Sequence, residues 1–170
     1  MLNSSIKKII QSNTGCAVVL AGSDSDRAHV DRIVASLKEF DIPYRIRIFS
    51  AHKQPVELME LIEEHNALGG SVAFIAVAGG TDALSGILSF HALGPVISCP
   101  PDAPNESCLT NAPGSSNAYI ERPENVGKFI AQIYAGVNPT FRERLEQNKQ
   151  KKIKRLRKAD EDLMAEQKGT

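Results

Sequence analysis

Residues 16–26 read CAVVLAGSDSD: six apolar or small residues without a break, then glycine, serine and aspartate. That pattern is a strand buried on both faces, as in a parallel sheet, ending in a polar loop. From Arg27 to Phe40, Val30, Ile33, Val34 and Leu37 recur at helical spacing, so the loop opens a helix that Asp24, Ser25 or Asp26 would cap. The same unit then repeats. IPYRIRIFS (42–50) alternates Ile42, Tyr44, Ile46 and Ile48 with polar positions and predicts a second strand near an edge, followed by a helix from Pro55 to His65 that Gly69-Gly70 ends. SVAFIAVAGG (71–80) is another buried strand, followed by a helix over 82–93 and a short strand, PVISC (95–99). AYIE (118–121) and a helix over 123–135, with Phe129, Ile130, Ile133 and Tyr134 on one face, close the series. Alternation of this kind implies an α/β protein: one parallel sheet with right-handed crossovers and helices on both faces.

With 42% hydrophobic residues, 24% charged residues and a net charge of zero, the 170-residue chain has the composition of one globular domain. Zero net charge gives no global attraction for nucleic acid or an anionic membrane, so an anionic ligand must be met by local groups. The apolar runs are too short to span a bilayer, and the amino terminus lacks the apolar core of a signal peptide. Residues 1–15, MLNSSIKKIIQSNTG, carry basic and hydroxyl side chains without acids, as an organelle presequence would. They lack arginine and are short, and are read as an amino-terminal extension. Three cysteines, Cys16, Cys99 and Cys108, have no metal-ligand spacing and imply reduced thiols in a cytoplasmic setting.

In sheets of this class, ligands bind outside the carboxyl ends of the strands. Four junctions are therefore expected to converge: GSDSD (22–26), SAHKQP (50–55), AGGTDALSG (78–86) and CPPDAPNES (99–107). At Gly22, Ser23, Asp24, Ser25 and Asp26, backbone N–H groups at a helix start favour an anion and the carboxylates suit ribose hydroxyls. The same residues would also serve simply as a cap. Neither a G-x-G-x-x-G pattern nor a phosphate-loop lysine accompanies them. His52 alone among the four histidines falls at a strand junction, where an imidazole can take and give a proton. The plainer alternative is a hydrogen-bonded surface group. Lys53 beside it offers a compact positive charge for a phosphate. His29, His65 and His91 fall on helices and read as structural. Gly79-Gly80 and their small neighbours allow close approach of a ligand or, equally, of a helix to the sheet, and Ser85-Gly86 would suit a close helix contact. Residues 102–116 read as a loop over the site, ordered or mobile.

Together these junctions resemble the purine-biosynthesis family of phosphoribosylaminoimidazole carboxylase and carboxyaminoimidazole ribonucleotide mutase, over about residues 16–136. The family pattern stands here as Gly22-Ser23-Asp24-Ser25-Asp26, Ser50-Ala51-His52-Lys53 with Pro55, Ala78-Gly79-Gly80 with Leu84-Ser85-Gly86, and Pro95-Val96. Lysine after the histidine and ALSG look like the branch that adds carbon dioxide directly to aminoimidazole ribonucleotide. The mutase pattern has arginine there and A-A-H-L-P-G after the glycine pair, with a second histidine that this chain lacks. Where direct carboxylases commonly carry A-G-R-S-N, this chain has Ala78-Gly79-Gly80-Thr81-Asp82, so a cation is missing and an acid is present. The resemblance implies a three-layer α/β/α sandwich with a flavodoxin-like sheet over 16–138, and a homo-oligomer, tetramer or octamer. It implies no metal, biotin or ATP. His52 would be the acid-base group, Asp24 and Asp26 would meet ribose or the ring amine, and Ser23, Ser50 and Lys53 the phosphate. Ala78, Gly79 and Gly80 would shape the carbon dioxide pocket; Gly22, Ser25, Ala51 and Leu84 complete the expected site. The rivals are a mutase, a nonenzymatic nucleotide-binding relative, and an interaction protein.

The last rival rests on the tail. Residues 139–170 predict a helix whose sparse apolar residues, Phe141, Leu145, Ile153, Leu156 and Leu163, find too little to cover them on their own chain, so it is expected at a subunit contact. Its basic run KQKKIKRLRK (149–158) would attract nucleic acid or an acidic partner. The following ADEDLMAE (159–166) neutralises much of that charge and favours a solvated helix.

Overall fold

The structure, a computed structural model, describes residues 4–168. Five parallel strands, β1 (Cys16–Ala21), β2 (Tyr44–Ile48), β3 (Val72–Val77), β4 (Val96–Ser98) and β5 (Ala118–Tyr119), lie in the order β2-β1-β3-β4-β5. Between and around them run α1 (Ser4–Gln11), α2 (Arg27–Glu39), α3 (Pro55–Asn66), α4 (Ala83–His91), α5 (Val126–Tyr134) and α6 (Pro139–Lys168). This is the parallel sheet with helices on both faces that the alternation predicts, in the three-layer, flavodoxin-like form that the resemblance implies. Among the described residues no helix is long and apolar enough to cross a membrane. The first three residues of the extension and the last two of the tail lie outside the described residues.

The unbroken apolar runs are explained by burial on both sides. In β1, Ala17, Val19 and Ala21 pack with α2, α5 and Phe141 of α6, while Cys16, Val18 and Leu20 pack with α3, α4 and Ile10 of α1. Neither face of a central strand can carry a polar residue without stranding it, and each fully buried aliphatic side chain contributes about 1.5–3 kcal/mol. β2 is an edge strand, as its alternation predicted, and Ile48 at its end is exposed.

Three local readings are corrected. The loop after β1 is capped by Ser23, whose hydroxyl accepts the Ser25 N–H (3.2 Å) at a short 3-10 turn over Asp24–Asp26; Asp26 precedes α2 without a side-chain cap. The helix expected from Pro123 is a 3-10 turn, Pro123–Asn125, followed by α5, whose buried face is Val126, Gly127, Ile130, Ala131 and Tyr134; Ile133 points outward. The first third of α6 finds cover on its own chain. Phe141 is buried, Leu145 packs against the core, Arg144 binds Asp41 (2.6 Å) and the Asn148 amide donates to Glu39. From Lys149 to Gln167 the helix is exposed apart from a half-buried Ile153.

Candidate functional site

The sheet order reverses between β1 and β3, so their carboxyl ends open a crevice at the switch point. The walls are close. Gly22 donates its N–H to Val77 O (2.8 Å), and a Cβ on Gly22 would stand 3.4 Å from that of Ala78. A cavity of about 280 Å³ occupies the crevice. The β1 junction contributes Gly22, Ser23, Ser25 and Asp26; the β2 junction Ser50, Ala51 and His52; the β3 junction Ala78, Gly79, Thr81, Ala83 and Leu84. Ten of the thirteen residues expected from sequence, His52 included, thus stand around one space.

Asp24, Lys53 and Gly80 do not line it. Asp24 lies in the 3-10 turn and accepts from the Ser23 hydroxyl (3.3 Å). Lys53 lies on the exposed rim, one residue beyond His52, in a tight turn whose Lys53 and Gln54 N–H groups both donate to Ser50 O (3.1 and 2.8 Å). That turn holds the exposed His52 ring at the cavity. Gly80 has φ +64°, a left-handed conformation that favours glycine, and its N–H is consumed by Asp102 Oδ2 at 2.7 Å.

The fourth junction does not line the cavity; it braces the third. Asn105 Nδ2 donates to Gly80 O (2.9 Å) and to Asp102 Oδ1 (2.9 Å). Ser107 Oγ donates to Gly80 O (3.1 Å) and accepts the Asp82 N–H (3.0 Å). These bonds fix Gly80 and Asp82 and leave the N–H groups of Gly79 and Thr81, in the cavity wall, without an internal acceptor among the described residues. Asp82 caps α4 by accepting the Ser85 N–H (2.8 Å), so the departure from a family asparagine is used structurally. Burial raises its carboxyl above the ordinary range, the Ser85 N–H working against that shift.

Hydrogen bonds from Asn105 and Gly80 hold the Asp102 carboxyl below its ordinary range. A depressed carboxyl contributes stability that is complete above its unfolded value and is lost as pH falls through the folded one. Asp102→Ala is therefore expected to speed amide exchange at Gly80 about tenfold, the loss of one hydrogen bond. In the unaltered protein, the same protection should fade in acid. Unchanged protection in the variant would show that the brace does not rest on this carboxylate.

The other histidines are occupied or remote. His29 Nε2 donates to Cys99 O (3.1 Å), buried His65 donates Nδ1–H to Leu61 O (2.6 Å), and His91 sits edge-on to Phe90. The thiols are buried; burial pushes Cys16 up to about 11 and Cys99 up to about 12, so neither is a nucleophile at neutral pH. Sequence reasoning missed Thr81 and Ala83, which flank named residues in the same loop. It also missed the Asp102–Asn105–Ser107 brace, whose partners lie 22–27 residues away.

The sequence pattern of one known family, AIR carboxylase, matches residues 16–155. The chain belongs to the AIR carboxylase family. It is 35% identical over 124 residues to a phosphoribosylaminoimidazole carboxylase of Treponema denticola, covering 69% of this chain and 78% of that one. It is 30% identical to the N5-carboxyaminoimidazole ribonucleotide mutase of Methanocaldococcus jannaschii, over 85% of this chain and 95% of that one. The crystal structure of Treponema denticola PurE superposes with a TM-score of 0.82 at 29% identity, over 88% of this chain and 98% of that one. The chain spans 33% of the mouse bifunctional carboxylase and succinocarboxamide synthetase. This is a family of purine biosynthesis, and both carboxylases and a mutase occur among these AIR carboxylase relatives.

Proposed function

We propose that the protein adds carbon dioxide directly to 5-aminoimidazole ribonucleotide, forming the 4-carboxy product. The observation that carries this reading is Ala83. Counted back from the shared Leu84-Ser85-Gly86, it occupies the place of the second histidine in the mutase pattern, and it lies in the cavity wall. The cavity thus presents one imidazole, His52, and a methyl group where a mutase presents another ring.

The aminoimidazole ring is an enamine, and its C4 is nucleophilic without metal, biotin or ATP. C4 attacks the carbon of carbon dioxide and a C–C bond forms. The proton still on C4 then passes to His52, and the ring recovers its aromaticity. In this reading the free N–H groups of Gly79 and Thr81 receive the developing carboxylate. Asp26 serves the ribose or the ring amine, and Ser23, Ser50 and the rim cation Lys53 serve the phosphate, with Gly22, Ser25, Ala51, Ala78 and Leu84 shaping the walls; Asp24 stands back in the 3-10 turn.

The test offers the purified protein aminoimidazole ribonucleotide with bicarbonate in one assay and the carboxyamino isomer in another. Product in the first is expected. Turnover of the isomer alone would make the protein a mutase, and binding without turnover of either would make it a nucleotide-binding relative.

A further inference from the structure

The His52 ring makes no hydrogen bond among the described residues, so its place at the cavity is set by the backbone of its turn. That turn runs from Ser50 to Gln54, between β2 and α3, with His52 and Lys53 exposed at its tip. One end is tied to the sheet, where the Phe49 N–H donates to Ala21 O (2.9 Å). The other starts α3, where the Leu58 N–H donates to Gln54 O (3.1 Å).

Gln54 closes the turn. Its own N–H donates to Ser50 O (2.8 Å), and its side-chain Oε1 accepts the Ser50 N–H (3.3 Å), so the two residues are clasped in both directions. The second bond points away from where it would be expected. Gln54 stands just before Pro55, the first residue of α3, and an acceptor side chain in that place ordinarily serves the free N–H groups of the helix. Gln54 caps none of them and turns back to Ser50 instead. Pro55 disfavours the helical region for Gln54, whose φ of −132° and ψ of 48° lie outside it.

We infer that Gln54 is a positioning residue for His52: its side-chain amide locks the Ser50–Gln54 turn and so fixes where the imidazole meets the reacting ring carbon. This rests on the reading of His52 as the acid-base group; Gln54 itself does not line the cavity. A misplacement of about 1 Å at a reacting group can cost about 10²-fold in rate. Ser50 keeps its carbonyl bonds to the Lys53 and Gln54 N–H groups whatever side chain stands at 54, so a loosened turn is felt in kcat more than in KM.

Gln54→Leu keeps the volume and removes the acceptor. It is expected to speed amide exchange at Ser50 about five- to tenfold. With aminoimidazole ribonucleotide and bicarbonate, kcat should fall about tenfold while KM stays within about threefold. Gln54→Glu keeps an acceptor at the same reach, and its charge suits the start of α3; exchange and kcat should return to within about threefold of the unaltered protein, whatever the charge does to KM. In a His52→Asn background, Gln54→Leu should lower the residual rate no further, since nothing is left to position.

Unchanged Ser50 exchange in Gln54→Leu, an unchanged kcat, no rescue by Gln54→Glu, or a further loss on top of His52→Asn would each overturn the inference while leaving the reading of the cavity in place. Turnover of the carboxyamino isomer alone fails that reading instead, and the same comparison on the isomer then decides for Gln54, because a mutase would use the same histidine. Turnover of neither substrate overturns both.

Discussion

If the proposed function holds, His52→Asn is expected to abolish turnover while the nucleotide still binds, a larger effect on rate than is expected of the other substitutions considered. The ring stands exposed in the cavity wall and makes no hydrogen bond among the described residues, so its loss should disturb the fold little. Asparagine keeps a polar group of similar reach but cannot accept the C4 proton, and a positioned acid-base group typically contributes 10²–10⁴-fold, so kcat should fall by about that factor. Nucleotide affinity should shift by less than about threefold and thermal stability by under ~0.5 kcal/mol. Rate and affinity must be measured on the same preparation. Loss of affinity with the rate per bound nucleotide intact would reduce His52 to a binding group.

A large effect on stability is expected far from the cavity, at Gly127 between two core helices. A Cβ there would lie 2.1 Å from Ser36 O and 2.9 Å from Leu37 N, backbone atoms of α2 that cannot swing aside. The Gly127 N–H also donates to Ser36 Oγ (3.0 Å), which donates onward to Ile33 O (2.8 Å). Gly127→Ala must therefore part α2 from α5 across the core that Val30, Ile33, Val126 and Ile130 share. Overpacking of this kind costs about 3 kcal/mol, against which the better helix propensity of alanine returns under ~1 kcal/mol. For a chain of this size the midpoint of thermal unfolding should drop by roughly 5–10 °C. Gly136→Ala, where nothing lies within 4 Å of the new methyl group, is the control and should change little. Equal midpoints for the two variants would mean that the helices have slack the geometry does not suggest.

What the sequence discloses and what it hides divide along physical lines. Cys16–Ala21 and Val72–Val77 are legible because a strand buried on both faces tolerates no polar residue. Their order with the helices fixes which strand ends face the same way, which is why His52 and Gly22 could be placed together before any coordinates. Ser23 was hidden as the cap because four adjacent residues there can each accept an N–H, and only the backbone angles choose among them. The family resemblance puts Gly80 in the pocket wall, but its amide answers to Asp102, a contact with no local signature. Asp82 looked like a change of chemistry and is a helix cap. The exposed end of α6 was legible as apolar residues without cover, whereas the anchoring of its first third by Phe141 was not, because the partner surface comes from α2 and α5.

The two faces of the sheet are also completed at different moments in the life of the chain. All three junctions that line the cavity lie within the first 84 residues, whereas α5 and Phe141 cover the opposite face only after residue 126. At a synthesis rate of about 5–20 residues per second, the stretch from residue 85 to 134 takes the ribosome roughly 3–10 seconds. During that interval Val19, Ile75 and Val77 have only α2 above them. A nascent chain in this state presents a greasy sheet face to chaperones and to its neighbours on the same message, and a truncation before α5 should leave that face permanently uncovered, aggregating even though it encodes every residue of the cavity.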